Sequence, residues 1–495
     1  MNKTSLKTNI KNVIPRTLRV NVPEIATKVL KARRNNDRRV FTVSSNLLPL
    51  FGFHGEAQVV EEVIAPGKGF RVRLATADDV KRKKVYVREY KSRSANPLKR
   101  DAKRIEQQIE TSSQKLIELA MGDAEHAHIT FRNGEITFVP VTTVERQLLQ
   151  DLDKDDQINT LVAMTGGVDC AVLDNSGFRV DAVVEYRPQE KRDNTDYTET
   201  TALNALVNSK PKVLCNEDIY QLNASRLTEL LAEADISSVT MLHASLECSD
   251  YSTLKTKKQK ADSTASMDST LDMFVPVLNL LDELKSPVLM IENVPGFLSS
   301  PINDVFTLQL RRRGYQIHQR VFDARDYGGN TSRKRLYLVA TALDADFQFP
   351  QPSQHTDLNI WRDIIEPNLP EIMQHDLTDT KVMQDALRLD RARVITKEKP
   401  WAPTLTKAQG QATKDAVVVE HNGRYYKLPL SVQQQLNELP SNFDVDWLSV
   451  DKAEQLIGQS ISCSLHHKIA QSVRDHIYRF HQKLKSPQSQ LALAI

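Results

Sequence analysis

The sequence predicts an α/β protein in which a doubly wound, mainly parallel sheet follows a separate N-terminal α+β module. Two observations predict this fold. From about residue 159 onward, short apolar or β-branched runs alternate with longer amphipathic segments, a pattern typical of parallel strands joined by helices. Before residue 145 the chain is strongly basic, and short strand patterns there surround a single helical pattern. The length of 495 residues is enough for about two to three domains.

The N-terminal module, residues 1–145, is predicted to be β-rich with one helix. Apolar residues recur at helical spacing from about Leu98 to Met121, which predicts the helix. The pair Asn133 and Gly134 lies between two alternating runs and predicts a hairpin turn. Residues 1–100 hold 23 lysines and arginines against 8 aspartates and glutamates. That excess favours contact with a polyanion such as a nucleic acid, although a solvated basic segment is the alternative.

The composition indicates the cellular compartment and excludes some kinds of disulfide and metal sites. The cysteines are widely separated and form no CxxC pair, so a disulfide scaffold and a zinc ribbon are not expected, and no metal site is predicted. No apolar run approaches the roughly 18 residues of a membrane span, and the basic N-terminus lacks the apolar region of a secretory signal. A cytoplasmic protein without a membrane partner is therefore expected. The four cysteines are Cys170, Cys215, Cys248 and Cys463.

Seven runs are strand candidates for the parallel sheet. In chain order they are INTLVAMTGG, RVDAVVEY, KVLCNED, SVTMLHASLE, PVLMIENV, YQIHQRVFD and RLYLVATAL. Amphipathic segments such as residues 269–285 separate them. In doubly wound sheets, ligands bind in the crevice beyond the carboxyl ends of the strands. The residues that directly follow each strand are therefore the candidate site.

Two successive strands end in side chains that can carry chemistry. Cys248 follows the fourth strand, and a thiol among helix N-termini can ionise and act as a nucleophile. Glu292 directly follows five apolar residues, and its desolvation would raise its pKa and favour a protonated acid. Taken alone, Cys248 is more simply interpreted as an inert, half-buried cysteine, and Glu292 as a carboxylate that caps the following turn. Because the two strands belong to one right-handed crossover, we expect both residues to face one cleft.

Three earlier strand ends form a second candidate group. The first strand runs into a glycine turn before a helix, and such a turn lets the backbone approach a nucleotide-like ligand. One strand later, Glu185 stands where a carboxylate can accept from ribose hydroxyls. Asp218 and Ile219 follow the third strand and suit an adenine amino group and its ring face, although each acid singly could be a solvated turn carboxylate. The glycine turn comprises Thr165, Gly166 and Gly167.

The order of these motifs resembles that of the DNA (cytosine-5) methyltransferase family, in a divergent bacterial, phage or mobile-element form. The family places a Pro-Cys loop, a Glu-Asn-Val strand end and a Gln-x-Arg-x-Arg strand start in succession. This chain has ECS at 247–249, ENV at 292–294 and TSRKR at 331–335. The resemblance covers about residues 161–473, and the shared order and spacing make it specific. It implies a Rossmann-like methyltransferase sheet with a small recognition region.

The resemblance implies a DNA (cytosine-5-)-methyltransferase that takes a methyl group from S-adenosylmethionine. Cys248 would add to C6 of a cytosine flipped out of double-stranded DNA. Glu292 would hydrogen-bond the ring N3, and Arg333 and Arg335 would bind the base carbonyl. Ser460, in the motif IGQS, would help to close the protein over the cofactor.

The resemblance also divides the chain and implies its partners. The segments are the N-terminal module at 1–145, a catalytic domain at 155–346, a target-recognition region at 347–425 and C-terminal motifs at 426–485 that complete the catalytic domain. Double-stranded DNA is the implied partner, so the protein would associate with the nucleoid when bound to it. A monomeric catalytic domain is expected, and a restriction endonuclease can accompany an enzyme of this kind.

Five motif positions depart from the family pattern. Glu247 replaces the proline before the cysteine, and its carboxylate should raise the thiol pKa. The others are Val162 for an aromatic residue, Met164 for a glycine, Thr331 for a glutamine and Gln459 for an asparagine. These departures indicate a divergent enzyme and leave open a slow or inactive one. Two alternatives stay open: a tRNA cytosine-5 methyltransferase, and a DNA-binding regulator with a degenerate catalytic domain.

Overall fold

The computed structural model divides into two compact units, and the boundary along the sequence falls between residues 143 and 144. The first unit has one hydrophobic core cluster, and the second unit has several. Among the described residues, no helix has the length and apolar character needed to cross a membrane. The described residues are 22–36, 38–45, 47–91, 103–141, 157–189, 196–247, 250–251, 257–265, 269–353, 357–409 and 415–485.

The described residues of the first unit form antiparallel strands, one α-helix and a 3₁₀ turn at Leu48–Phe51. Its elements are β1 (Ala26–Lys31), β2 (Arg33–Asn35), β3 (Arg38–Ser44), β4 (Gln58–Ala65), β5 (Gly69–Leu74), β6 (Lys83–Lys84), β7 (Tyr86–Lys91), β8 (Lys103–Thr111), α1 (Gln114–Met121), β9 (His126–Arg132) and β10 (Glu135–Pro140). One sheet has the order β1-β9-β10-β5-β4-β6, and the other has the order β2-β3-β8-β7. The turn at Asn133 and Gly134 joins β9 to β10 as an antiparallel hairpin, so the predicted hairpin is confirmed.

The predicted helix from Leu98 to Met121 is wrong over residues 103–111. Residues 103–111 form strand β8, and α1 begins only at Gln114. Strand β8 pairs with β3 on one side and with β7 on the other, and it buries Ile109. Pairing on two edges outweighs the helix propensity of its glutamates and glutamines, a preference of under about 1 kcal/mol per residue. Residues 98–102 lie outside the described residues.

The second unit is built on a seven-stranded sheet with the order β13-β12-β11-β14-β15-β17-β16. The elements are β11 (Ile158–Ala163), α2 (Val168–Asp174), β12 (Phe178–Val184), α3 (Thr200–Asn208), β13 (Val213–Cys215), α4 (Ala224–Glu233), β14 (Met241–Ser245), α5 (Lys257–Ala265), α6 (Phe274–Leu284), β15 (Val288–Asn293), α7 (Pro301–Arg312), β16 (Gln316–Asp323) and β17 (Lys334–Thr341). The first five strands of that order are parallel, and β17 is antiparallel to both of its neighbours. The predicted doubly wound, mainly parallel sheet is confirmed.

The central strands of this sheet are buried on both faces. In β15, Leu289 and Ile291 pack into one core cluster, whereas Val288 and Met290 pack into a second cluster. Successive side chains of a strand point to opposite faces, so an apolar residue is needed at nearly every position. His243 in β14 interrupts this apolar pattern, and the alternation of β14 directs it to the face of the second cluster.

The rest of the second unit is a smaller sheet with short helices, followed by a long helix. The elements are a π-helical turn (Trp361–Ile365), α8 (Leu369–Ile372), α9 (Lys381–Arg388), β18 (Arg393–Ile395), β19 (Val417–His421), β20 (Arg424–Lys427), α10 (Leu430–Leu436), α11 (Val450–Gln459) and α12 (Cys463–Lys485). The strands β18, β19 and β20 form the smaller sheet. Helix α12 buries Leu465 and Ile469 in the second core cluster. The finer division into catalytic, recognition and C-terminal segments stays a prediction.

Candidate active site

The carboxyl ends of β14 and β15 lie side by side in the sheet. The two strands are parallel, and Ser245 pairs with Glu292. Strand β17 runs antiparallel on the other side of β15, and there Asn293 pairs with Leu336. The start of β17, with Arg335, therefore lies next to the end of β15. Strand register alone brings the ends of these three strands to one edge of the sheet.

Glu292 is a buried acid in contact with an arginine. Its Oε1 lies 2.6 Å from Arg335 Nε, and only 8% of the residue is exposed. Oε1 is buried and has no hydrogen-bond partner. The Arg335 Nε–H bond therefore does not point at Oε1, and the contact is an ion pair without a hydrogen bond. Burial raises the pKa of Glu292, although the guanidinium of Arg335 acts in the opposite direction. The carboxyl group is therefore biased toward its protonated form and has an unused hydrogen-bonding atom.

Cys248 itself lies outside the described residues, but the chain that leads to it is held in place. Strand β14 ends at Ser245, and the next residue, Leu246, is buried. Asn293 Nδ2 donates to the Leu246 carbonyl at 3.4 Å. The strand ends that precede Cys248 and carry Glu292 are therefore adjacent, whereas a shared cleft for the two side chains stays a prediction.

A buried carboxylate closes the base of the segment that follows Cys248. Asp250 is 4% exposed, and its Oδ2 accepts from the Thr270 backbone N–H at 2.9 Å and from the Ser269 hydroxyl at 3.1 Å. Beside it, the Tyr251 hydroxyl donates to the Leu271 carbonyl at 3.0 Å. These bonds join residues 250–251 to residues 269–271, on the two sides of the segment that contains α5.

Arg333 has a different environment from the predicted one. The residue is 1% exposed, and its guanidinium donates to the carbonyls of Leu405 at 3.0 Å, Gly458 at 3.3 Å and Gln459 at 2.9 Å. Burial and these backbone contacts leave it no access to a base carbonyl. The predicted substrate contact is therefore corrected to a structural role, in which Arg333 ties the start of β17 to the end of α11.

The glycine turn after β11 is organised by Glu185, which directly follows β12. One carboxylate oxygen, Oε1, accepts from the backbone N–H of Thr165 at 2.6 Å and of Gly166 at 2.9 Å, and from the Thr165 hydroxyl at 3.1 Å. Burial raises the pKa of Glu185 to about 7, despite these three donors. The predicted residues Thr165, Gly166 and Glu185 are thus brought together, and Glu185 shapes the turn directly.

Two backbone conformations explain the residues of this turn. Gly167 has a φ of 88° and starts α2, and a Cβ atom there would lie 2.7 Å from the Ala205 nitrogen. Any side chain at 167 would therefore force the turn away from α3. Met164, which replaces a glycine of the family pattern, has a φ of 61°. Met164 thus adopts a left-handed backbone conformation although it is not a glycine, at a cost of roughly 1–2 kcal/mol.

The remaining predicted cofactor residues differ in environment. Asp218 is half-buried, and its Oδ1 accepts from a backbone N–H two residues further on at 3.0 Å. Ile219 is 5% exposed and packs in the first core cluster, which leaves little of its side chain for a ligand. The Ser460 hydroxyl donates to the Ile457 carbonyl at 2.7 Å and accepts from Asn437 Nδ2 at 3.1 Å. Ser460 therefore holds the turn between α11 and α12.

The sequence analysis missed a buried polar cluster beneath these strand ends. Asp169 lies in the first turn of α2, His243 in β14 and His466 in α12, and they are 1%, 0% and 0% exposed. Asp169 Oδ2 lies 2.7 Å from His243 Nε2. A histidine within the apolar run VTMLHASL is the one local signal of this cluster. The approach of α2 and α12 to β14 is a long-range contact that no local pattern shows.

The sequence profile of the C-5 cytosine-specific DNA methylases matches residues 208–475. This stretch is more than half of the 495 residues, and it includes Glu292, Arg335 and the segment around Cys248. It begins after the glycine turn and Glu185, so the interpretation of those residues depends on their geometry and on the motif resemblance.

Individual relatives match shorter stretches. The type II methyltransferase M.MspI of Moraxella sp is 28% identical over 155 residues, which are 30% of this chain and 34% of that protein. The type II methyltransferase M.NlaX of Neisseria lactamica is 32% identical over 123 residues, 24% of this chain and 37% of that protein. The chain thus spans little more than a third of these relatives. The solved structure of the Entamoeba histolytica methyltransferase EhMeth is 16% identical and aligns with 67% of this chain and 99% of its own, with a TM-score of 0.48. The fold is assigned from the strand order of the sheet and not from this similarity.

The two arginines of β17 should differ in their effect on stability. We expect Arg333→Met to lower the free energy of unfolding by about 3 kcal/mol or more, because three buried carbonyls lose their donor. Arg335→Met should cost about 1 kcal/mol or less, since burial already raises the pKa of Glu292 and the carboxyl group can take up a proton when the guanidinium is lost. Urea unfolding of the full-length variants measures both values. Equal losses would contradict the structural role of Arg333.

Glu185 should make stability fall with rising pH. Its pKa rises from 4.5 to about 7 on folding, so the folded state binds more protons than the unfolded state between these values. Wild-type protein should therefore lose roughly 3 kcal/mol of stability relative to Glu185→Gln as the pH rises through this window. Urea unfolding at several pH values measures the difference. Parallel pH profiles for the two proteins would show that Glu185 is not the titrating group.

Proposed function

We propose the following function for this chain, which belongs to the C-5 cytosine-specific DNA methylase family: it transfers a methyl group from S-adenosylmethionine to C5 of cytosine in double-stranded DNA. The observation that carries the proposal is the buried contact between Glu292 and Arg335, at the strand end beside the one that leads to Cys248. An acid biased toward its protonated form and a guanidinium are the groups that a flipped cytosine ring requires at N3 and at its carbonyl.

Cys248 supplies the nucleophile in this proposal. C5 of cytosine is a poor nucleophile as part of an aromatic ring. Addition of the Cys248 thiolate to C6 breaks the aromaticity and gives C5 the character of an enamine carbon. After C5 has taken the methyl group, loss of the C5 proton and elimination of the thiolate restore the aromatic ring. The base has to leave the duplex for this addition, because C6 is inaccessible within the stack.

Glu292 and Arg335 stabilise the charge that develops on the ring. As the thiolate adds, electron density moves toward N3, and the protonated carboxyl group of Glu292 donates a hydrogen bond there. Arg335 lies 2.6 Å from Glu292 and can bind the adjacent base carbonyl while keeping the acid oriented. Arg333 acts at a distance, as a positioning residue that fixes the start of β17.

The glycine turn and the strand-end acids fit a nucleoside-bearing cofactor. Gly167 packs against α3 too closely for a Cβ atom, so the turn requires glycine at this position. Glu185 and Asp218 would hold the ribose and the adenine amino group of S-adenosylmethionine, as the motif resemblance implies. When bound, the cofactor supplies a methyl group activated on a sulfonium. The backbone amides of Thr165 and Gly166 already donate to Glu185, so their part is to fix the acid.

Charge and exposure support DNA as the substrate. The first 100 residues hold 23 basic side chains, and those on the described strands include the exposed Arg33, Arg38 and Arg88. Lys258 on α5 is exposed as well, in the segment after Cys248. Such cations neutralise backbone phosphates without reading sequence. We therefore include the N-terminal module, with the segment around α5, among the surfaces that contact double-stranded DNA.

Transfer of a tritiated methyl group to unmethylated genomic DNA and to tRNA tests the proposal. Wild-type protein should label DNA, and Cys248→Ala should reduce the rate by at least about a thousandfold, because the covalent step is lost. Glu292→Gln should lower the rate strongly with little change in DNA affinity, since its effect is confined to the transition state.

A matched control separates chemistry from folding. Cys215→Ala removes a buried thiol from β13 of the same sheet, and it should keep the wild-type rate within about threefold. Label on tRNA alone would overturn the substrate, and absence of label from both nucleic acids would favour a DNA-binding regulator. Full activity of Cys248→Ala would remove the proposed nucleophile.

A further inference from the structure

The buried cluster of Asp169, His243 and His466 joins three separate elements of the core. Asp169 belongs to the helix that begins at the glycine turn, His243 to the strand that leads to Cys248, and His466 to the long C-terminal helix. One possible ligand atom from each residue lies within 4.8 Å of the other two. All three residues are almost completely buried. The cluster has no part in the proposed methyl transfer, so its polar groups need another explanation.

Both ring nitrogens of His243 face acceptors. Nδ1 lies 3.1 Å from the Met290 carbonyl, and Nε2 lies 2.7 Å from Asp169 Oδ2. We therefore assign the hydrogen to Nδ1, and Nε2 and the carboxylate have to share a proton or a metal ion. A proton on Nε2 is one solution, and a metal ion bound to both atoms is the other. His243 alone does not distinguish them.

His466 favours the metal ion. Its Nδ1 lies 3.1 Å from the Tyr337 hydroxyl, and its Nε2 is buried without a hydrogen-bond partner. A buried nitrogen without a partner destabilises the folded state, and a proton on His243 does nothing to remove that cost. In both histidines Nδ1 bonds to a carbonyl or hydroxyl oxygen, as the outer nitrogen of a metal-ligating histidine does, and Nε2 faces the cluster.

We propose that Asp169, His243 and His466 bind one divalent transition-metal ion, Zn²⁺ being the best match to two imidazoles and one carboxylate. His243 Nε2, His466 Nε2 and the Asp169 carboxylate would be the ligand atoms. Any proton on His243 Nε2 is released to solvent when the metal binds. The Ser245 hydroxyl donates to Asp169 Oδ2 at 3.3 Å and so helps to orient that carboxylate.

The position of the cluster makes the metal a structural one. It would cross-link α2, β14 and α12, which carry the glycine turn, the approach to Cys248 and part of the second core cluster. Because the ligands are almost inaccessible to solvent, the ion would be taken up during folding and lost only when this core opens. The inference does not depend on the proposed function, since it concerns metal content and stability rather than methyl transfer.

Metal analysis of the full-length protein, purified without a polyhistidine tag, tests the proposal. Inductively coupled plasma mass spectrometry should find about one zinc ion per chain. His466→Leu should lose that metal. His476→Leu is the matched control: His476 is buried in the same helix, but its two nitrogens bond to Thr341 Oγ1 at 2.9 Å and to the Asp346 carbonyl at 3.2 Å. This control should keep the metal.

A second measurement covers the case in which His466→Leu fails to fold. Wild-type protein unfolded with a chelator and refolded with Co²⁺ should show visible d–d absorption, and refolding without metal should lower the melting temperature by roughly 5 °C or more. Wild-type protein that holds less than about a tenth of an ion per chain and gains no Co²⁺ absorption would overturn the proposal. Equal metal content in His466→Leu and His476→Leu would overturn it as well.

Discussion

The site depends on the burial of one carboxyl group at the end of a central strand. Glu292 is the first polar side chain after an apolar run that fills both faces of the sheet, and register places it beside Ser245 of β14. The same burial that raises its pKa excludes water from its contact with Arg335. The raised pKa of Glu292 is thus a consequence of where β15 ends, and the neighbouring strands place Arg335 and the approach to Cys248 beside it.

The packing around this edge separates residues that look equivalent in sequence. Arg333 and Arg335 are two positions apart, yet one binds three backbone carbonyls and the other contacts Glu292. Asp250 similarly holds a loop base through its hydrogen bonds with Ser269 and Thr270. Buried polar groups of this kind have to be satisfied where they lie, and here they fix the segments from which the reactive side chains extend.

Local patterns predicted what is local in this molecule. The apolar runs gave the strands of the parallel sheet, and the residues after them included Glu292 and Glu185. Long-range pairing decided the rest: β8 is a strand because β3 and β7 flank it, although its residues favour a helix. The contacts of Arg333 and the approach of His466 to His243 link positions far apart in the chain, and single motifs do not show such contacts. Met164 shows a case that the sequence pattern does not predict, in which a residue other than glycine adopts a left-handed backbone conformation.

The central claim is that Cys248 becomes bonded to C6 of the target cytosine. Duplex DNA in which 5-fluorocytosine replaces cytosine tests it directly, because a fluorine at C5 blocks the proton loss that releases the thiolate. Incubation with S-adenosylmethionine should give a protein–DNA adduct that survives denaturing electrophoresis, with the DNA attached to the peptide that contains Cys248. Cys248→Ser should give no adduct. Wild-type protein that methylates ordinary DNA yet forms no adduct, or an adduct at another residue, would contradict the account.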